Sequence, residues 1–258
     1  MQKNEYIQKR TKEIVILFKK FAKGGWVNPD NASGNPLWTR IKASIRREEQ
    51  IQTIMFWGAS DKKTLTSADE QFLKILFALH EKAALLHGQG CQLTIMKADL
   101  HIAQNGHGTI SQNHVQLNDA PRKYLEKITQ LFEEKVAIYK KKKVPITIRI
   151  HALSDLYNEY GLPFLIEDIG KKDRVISSRY VDFLLANARK HNRSGIASED
   201  AAILYVARRR REQFLLKKIA PKAILIASGV RTGARDVILP KGMPGIFLKV
   251  PAPWFIQN

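Results

Sequence analysis

Ile51-Gln52-Thr53-Ile54-Met55-Phe56-Trp57-Gly58-Ala59-Ser60 is the stretch on which the fold turns. Its seven mostly apolar residues, stopped by glycine, read as a buried strand. Beyond the turn, Ser67-Ala68-Asp69-Glu70 opens a helix running to about His87, with Phe72, Leu73, Leu76, Phe77, Leu79 and Ala83 on its buried face. Gly88 and Gly90 close that helix, and residues 91–98 supply a second strand leading to Asp99. Strand, turn, helix and strand in this order form a parallel crossover unit, expected to be right-handed.

Upstream, residues 5–23 read as a basic amphipathic helix with Ile7, Ile14, Leu17, Phe18 and Phe21 on one face. Gly24-Gly25 ends it, and a loop rich in Asn, Pro and Gly precedes a second basic helix over 37–50. These fifty residues are expected as a helical N-terminal extension that either packs on the core or meets nucleic acid. Downstream, 105–118 reads as a polar loop, 121–142 as a charged helix ending in Lys140–Lys143, and 145–151 as a third strand. A short helix over 152–160, capped by Ser154, is followed by helices over 177–191 and 198–218 and by strands over 223–228 and 245–250. Residues 51–258 are therefore expected to form one α/β domain. It is Rossmann-like, an open, mostly parallel sheet with helices on both faces, undivided by any repeat or linker.

Composition narrows the function classes. A hydrophobic share of 44% with 26% charged residues is ordinary globular usage. No apolar run approaches the ~20 residues needed to span a bilayer. Met1-Gln2-Lys3-Asn4-Glu5 opens no secretory signal, so the cytoplasm is the expected address. A single cysteine, Cys91, excludes an internal disulfide and a cysteine-rich zinc site. His107 and His114 lack regular ligand spacing, and no metal is expected. Forty-three Lys and Arg against twenty-four Asp and Glu give +19, which favours anionic partners such as phosphorylated metabolites or nucleic acid.

Three constellations carry candidate chemistry. In an open α/β sheet ligands bind at the carboxyl ends of strands, near helix N-termini, which singles out Ser60, Lys62 and Lys63 after the first strand. A hydroxyl and two ammonium groups there suit a phosphate or carboxylate. Asp99 and His101 end the neighbouring strand, the first able to meet an ammonium and the second to carry a proton near neutral pH. Four arginines at 208–211 point all around their helix axis, so at most two can face one ligand. Near the chain end, Trp254 is a candidate pocket wall.

Two blocks then match a known pattern. The first has Phe56, Ser60, Lys63-Thr64, Asp69-Glu70, and His87-Gly88-Gln89-Gly90 leading to a strand that ends at Asp99. The second has Tyr205, Arg208, Arg209, the run from Ile219 to Ser228, and Pro253-Trp254. In these the chain resembles a remote member of the pyoverdine/dityrosine-biosynthesis family, the isocyanide (isonitrile) synthases. That family follows its strand-end Asp with Gly, where this chain has Leu100-His101, and places His where this chain has Phe255. The resemblance implies a Rossmann-like transferase of secondary-metabolite biosynthesis. It would join an amino acid's amine to a carbon of ribulose 5-phosphate and convert it to an isonitrile, with no metal or cofactor. Ser60, Lys62, Lys63 and an arginine such as Arg208 or Arg209 would hold the phosphate, with Tyr205 and Trp254 lining the substrate. Asp99 would meet the amino-acid end and His101 would carry protons.

A weaker resemblance is to the cyclodipeptide synthases, through Gly58-Ala59-Ser60, Ala98-Asp99-Leu100-His101 and the stretch from Ile148 to Leu156. It implies that Ser60 accepts an aminoacyl group from tRNA held by basic helices. That family's Tyr-x-x-x-Glu helix motif is missing, since Arg209 stands four residues after Tyr205. A non-catalytic nucleic-acid or anion-binding protein on the same fold is the third expectation.

Overall fold

The computed structural model describes residues 2–22, 36–58, 64–165, 198–227 and 243–249. Ser60, Lys62, Lys63, Trp254 and the helix expected over 177–191 lie outside them. In chain order the elements are α1 (Gln2–Phe21), α2 (Pro36–Arg47), β1 (Ile51–Trp57), α3 (Ser67–Leu86), β2 (Cys91–Lys97) and the single turn α4 (Asp99–Ile102). Next come β3 (Gly108–Ser111), β4 (His114–Leu117), α5 (Asp119–Lys141), β5 (Ile146–Ala152) and α6 (Leu153–Glu159). The chain continues through α7 (Ser198–Ile219), β6 (Ile224–Ala227) and β7 (Gly245–Phe247).

Five strands make one sheet in the order β5-β2-β1-β6-β7, and every neighbouring pair is parallel. The crossover unit read from the sequence is present in full register, Ile51 beside Cys91 through to Trp57 beside Lys97. The strands proceed outward in one direction from β1 through β2 to β5. They then return to the other side of β1 with β6 and β7, so winding reverses beside β1. Such a reversal opens a crevice at the carboxyl edge of a sheet, where α/β proteins bind ligands.

The two-residue period of the strands divides the interior. Ile51, Met55, Trp57, Leu93, Ile95 and Ile226 face one side, packing with Phe72, Leu76 and Leu79 of α3 and with Tyr124, Ile128 and Phe132 of α5. Ile54, Met96 and Leu225 face the other, against Leu153 and Leu156 of α6 and Leu215 and Leu216 of α7. Helices therefore cover both faces, as expected. The N-terminal helices join the first side through Ile7, Ile14, Phe18, Leu37 and Ile41. They are tied down further by Arg40 donating to the Pro221 carbonyl at 2.8 Å and by the Lys222–Glu49 ion pair at 2.7 Å. A bridge between Ala22 and Leu248 adds backbone pairing.

Where α3 gives way to β2, Gly90 has φ of +80°, and a Cβ there would lie 1.7 Å from the Pro145 carbonyl oxygen. Only glycine permits this close approach of the chains entering β2 and β5. Two local expectations are corrected. Residues 105–118 are not a simple polar loop: β3 and β4 pair antiparallel as a hairpin, with Ile110 and Val115 turned toward the α6–α7 side. Helix α6 is not capped by Ser154, whose hydroxyl instead donates to Asp99.

Candidate active site

The turn after β1 is held at its entry and its exit by one buried network. Trp57, the last residue of β1, donates its indole N–H to the Tyr124 hydroxyl at 3.3 Å, and Tyr124 donates to Asp69 Oδ1 at 2.6 Å. Asp69 Oδ2 in turn accepts from the Thr66 backbone N–H at 2.8 Å and from its hydroxyl at 2.7 Å, closing a capping box at the start of α3. Burial, reinforced by the Asp69 carboxylate, pushes the Tyr124 phenol well above its ordinary range, so it stays a donor. Strand β1, helix α3 and helix α5 thus converge on one polar knot.

At the end of β2, Asp99 is buried and its carboxylate faces the start of α6. Oδ1 accepts from the backbone N–H of Leu153 at 2.9 Å and of Ser154 at 3.2 Å, while Oδ2 accepts from the Ser154 hydroxyl. Helix starts leave N–H groups without intrahelical partners, and an anion there is favoured by the helix dipole. Asp99 supplies both the acceptor and the charge from a neighbouring strand end. Its oxygens are committed to positioning α6.

Two residues on, His101 turns toward α7. Its Nε2 pairs with Oε1 of Glu212, whose side chain is 2% exposed against 16% for the imidazole. The other carboxylate oxygen of Glu212 takes Arg209 Nη1 at 2.5 Å. Phe56 of β1 stacks against His101 with ring centroids 6.1 Å apart at 27°. The Arg209 guanidinium lies 5.8 Å from the Phe56 ring and 5.0 Å from that of Tyr205. Burial would raise the Glu212 carboxyl, but Arg209 and His101 outweigh it and hold it near 2. Burial likewise works against Arg209, whose pKa is nonetheless raised by Glu212 and Tyr205. Both members of this pair are therefore charged at neutral pH.

The next two arginines on that side of α7 are not neutralised in this way. Arg208 Nη1 reaches Asn105 Oδ1 at 3.4 Å, and burial lowers its guanidinium to about 10. Its Nε, Nη1 of Arg211 and Oε1 of Gln104 are all buried without a hydrogen-bond partner among the described residues. Gln104 spends its amide N–H on the Phe164 carbonyl at 2.8 Å. Burial pushes the Tyr157 phenol of α6 up, with Glu212 adding to the rise and Arg211, Arg209 and Arg208 opposing it. Among the described residues, Arg208, Arg209 and Arg211 stand here against Glu212. Buried polar atoms nearly always find partners, so unpartnered donors beside surplus positive charge suit an anionic ligand.

No protein-family model and no curated protein matches the sequence. Among solved structures there is a match of probability 1.00 to PvcA from Pseudomonas aeruginosa. It has a TM-score of 0.53 and 13% sequence identity over 96% of this chain and 86% of that one. The chain is similar in fold to PvcA. At that identity the likeness concerns the path of the backbone, and it extends over nearly the whole length of both proteins.

Of the residues singled out from the sequence, Asp99 and His101 stand at the end of β2, with Tyr205, Arg208 and Arg209 on α7. His101, Arg209 and Tyr205 are brought together with Phe56. Arg211 lay in the run expected to supply a ligand, and Glu212 was missed. The available signal was weak: Glu212 is the sole acid in the stretch from Ile203 to Ile219, three residues after Arg209 and thus on a neighbouring face. Among the described residues no three His, Cys, Asp or Glu side chains cluster as metal ligands, and no helix is long and apolar enough to cross a membrane.

Proposed function

We propose that this chain is an isonitrile-synthase-like enzyme that joins the amine of an amino acid to a carbon of a phosphorylated sugar, ribulose 5-phosphate. The observation that supports this most is the basic stretch of α7, where Arg208 and Arg211 keep buried N–H groups without partners among the described residues. Arg208 reaches Asn105, a few residues beyond the carboxyl end of β2, where a sugar phosphate and an amine would meet. The fold likeness to PvcA and the sequence resemblance to the pyoverdine/dityrosine-biosynthesis family point the same way. In this reading Arg208 and Arg211 take the phosphate, and Ser60, Lys62 and Lys63 add donors from the turn after β1. Arg209 is satisfied by Glu212, so with Tyr205, Phe56 and Trp254 it serves the wall of the site. Asp99 fixes α6 beneath the amino-acid end, and His101 moves protons between the amine nitrogen and the carbonyl oxygen.

Incubating the protein with single amino acids and ribulose 5-phosphate, with mass spectrometry of the products, tests this directly. An isonitrile retaining the amino-acid skeleton is expected. Turnover of neither substrate would end the proposal. A tRNA-dependent cyclodipeptide synthase-like activity is the second reading, favoured by the +19 charge. It requires bound aminoacyl-tRNA whose affinity falls steeply with salt. Tight, salt-sensitive tRNA binding, with aminoacyl transfer to the protein lost in Ser60→Ala, would favour it over the first.

A further inference from the structure

We infer that Gln104 is a specificity-determining residue of this site, its side-chain oxygen accepting a hydrogen bond from a hydroxyl of the molecule whose phosphate Arg208 and Arg211 take. The inference rests on the phosphate reading above for the other end of that molecule. Beyond α4 the chain makes a π-helical turn, Ala103–His107, broken at Gly106 with φ of +88°. Such turns are uncommon and collect at functional sites. Within it Gln104 donates from Nε2 to the Phe164 carbonyl at 2.8 Å, and Asn105 Oδ1 accepts from Arg208 Nη1 at 3.4 Å. The first bond fixes which way round the Gln104 amide lies. Turned over, its oxygen would meet the Phe164 carbonyl oxygen, acceptor against acceptor. Phe164 is itself held, buried and edge-on to the Tyr157 ring with centroids 6.1 Å apart. Gln104 Oε1 therefore stays an acceptor, and it is buried with no hydrogen-bond partner among the described residues.

Arg208 Nε and Arg211 Nη1 are buried donors likewise without a partner among the described residues, and no hydrogen bond joins either to Gln104 Oε1. His101 Nε2 and Glu212 Oε1 lie against each other as an ion pair. The other unpaired buried side-chain groups among the described residues are thus of two kinds: guanidinium N–H groups that require acceptors, and one amide oxygen that requires a donor. A bare anion answers only the first kind, whereas a phosphate ester that also carries hydroxyls answers both. An ammonium could donate to Oε1 as well. Arg208 reaches the very next residue, however, and would repel it by like charge. A neutral hydroxyl meets no such penalty. The substrate class is accordingly a polyhydroxylated phosphate monoester, which Gln104 selects over esters of the same charge that lack hydroxyls. Sites built to hydrogen-bond a substrate hydroxyl reject analogues without it, because the protein's own polar group is then left unpaired.

Calorimetric titration of the full-length protein with two phosphate monoesters, ribulose 5-phosphate and methyl phosphate, tests this. Both are dianions at about pH 8, since their second pKa is about 6, and only the sugar ester carries hydroxyls. Gln104→Met keeps the size of the side chain and removes both amide groups. It should weaken ribulose 5-phosphate about tenfold and change methyl phosphate by less than about twofold, whereas Arg208→Ala should weaken both. A purely structural role for Gln104, through the Phe164 carbonyl, would move both esters together, and that result overturns the inference. So does unchanged affinity for ribulose 5-phosphate in folded Gln104→Met, or a wild type that binds the two esters equally. Each of these leaves the phosphate reading standing. A wild type that binds neither ester overturns the phosphate reading and the inference with it. If Gln104→Met does not fold, the side-chain amide resonances of Gln104 in the wild-type protein decide. Saturating ribulose 5-phosphate should shift them and methyl phosphate should not; equal shifts from the two, or none, overturn the inference.

Discussion

The two faces of the central sheet are built from alternate residues of the same strands, yet they treat polar groups in opposite ways. On the α3–α5 face the buried polar atoms are paired off. Trp57, Tyr124, Asp69 and Thr66 form a closed chain of hydrogen bonds. His80 donates from Nδ1 to the Leu76 carbonyl and meets the Thr53 hydroxyl through Nε2, each at 2.7 Å. On the α6–α7 face, one register step away, Phe56 lies against His101 and Arg209, and Arg208 and Arg211 keep buried N–H groups without a hydrogen-bond partner among the described residues. The first arrangement is what a scaffold needs, because a satisfied buried network fixes one packing. The second stores positive charge that folding alone does not use. The difference is between a face whose polar groups are paired and one that keeps unpartnered donors among the described residues.

Substitutions can break or sharpen that contrast. The largest loss of stability is expected from Phe132→Ala on the scaffold face. Its fully buried ring meets Trp57 and Phe77 edge-on, each at 5.6 Å, and its removal should cost about 3–5 kcal/mol in urea unfolding. Next comes pH. Burial holds His80 down to about 4 from an ordinary 6.5. The unfolded chain takes up its proton below about 6.5 while the folded one resists until about 4. This contribution is therefore intact above pH 6.5 and erodes by about 3 kcal/mol as pH falls to 4. His80→Gln should flatten that slope in a series of denaturation curves. Glu212 acts lower, where stability drains as pH falls from about 4.5 toward 2.

A smaller effect is expected from Tyr124→Phe, which strips Asp69 Oδ1 of its donor and the Trp57 indole of its acceptor. Losing the hydroxyl that links them should cost about 1–3 kcal/mol by thermal unfolding. The smallest belongs to the other face. Arg208→Ala combined with Arg211→Ala should change stability by less than about 0.5 kcal/mol or raise it, because it trades one long 3.4 Å hydrogen bond to Asn105 for removal of buried N–H groups without a partner among the described residues. A loss as large as that of Tyr124→Phe would erase the contrast between the faces.

The framework was legible in the sequence because it depends on local patterns. Apolar strands of seven residues, the Asp69-Glu70 helix start and the Gly90 stop each carry their own signal, and all appear where expected. The hairpin β3–β4 was not, because four-residue strands of mixed Gly, Thr, Ser, His and Gln have neither apolar alternation nor length to distinguish them from a loop. The site was legible by position only. That Asp99 and His101 end a strand beside β1 follows from element order, but what they touch depends on α6 and α7, which arrive more than fifty and about a hundred residues later. Asp99 therefore read as a free carboxylate, whereas its oxygens belong to the start of α6. Glu212 could not be told from a solvated acid until α7 was laid across the sheet.

The central claim is that the basic stretch of α7, through Arg208 and Arg211, receives the phosphate of a small substrate. Calorimetric titration of the wild-type protein with ribulose 5-phosphate, repeated on folded Arg208→Ala/Arg211→Ala protein, tests it most directly. The account predicts saturable binding to the wild type and affinity at least about tenfold weaker in the double variant, a loss of about 1.4 kcal/mol or more. Equal affinity in the two proteins, or no binding to the wild type, would contradict it.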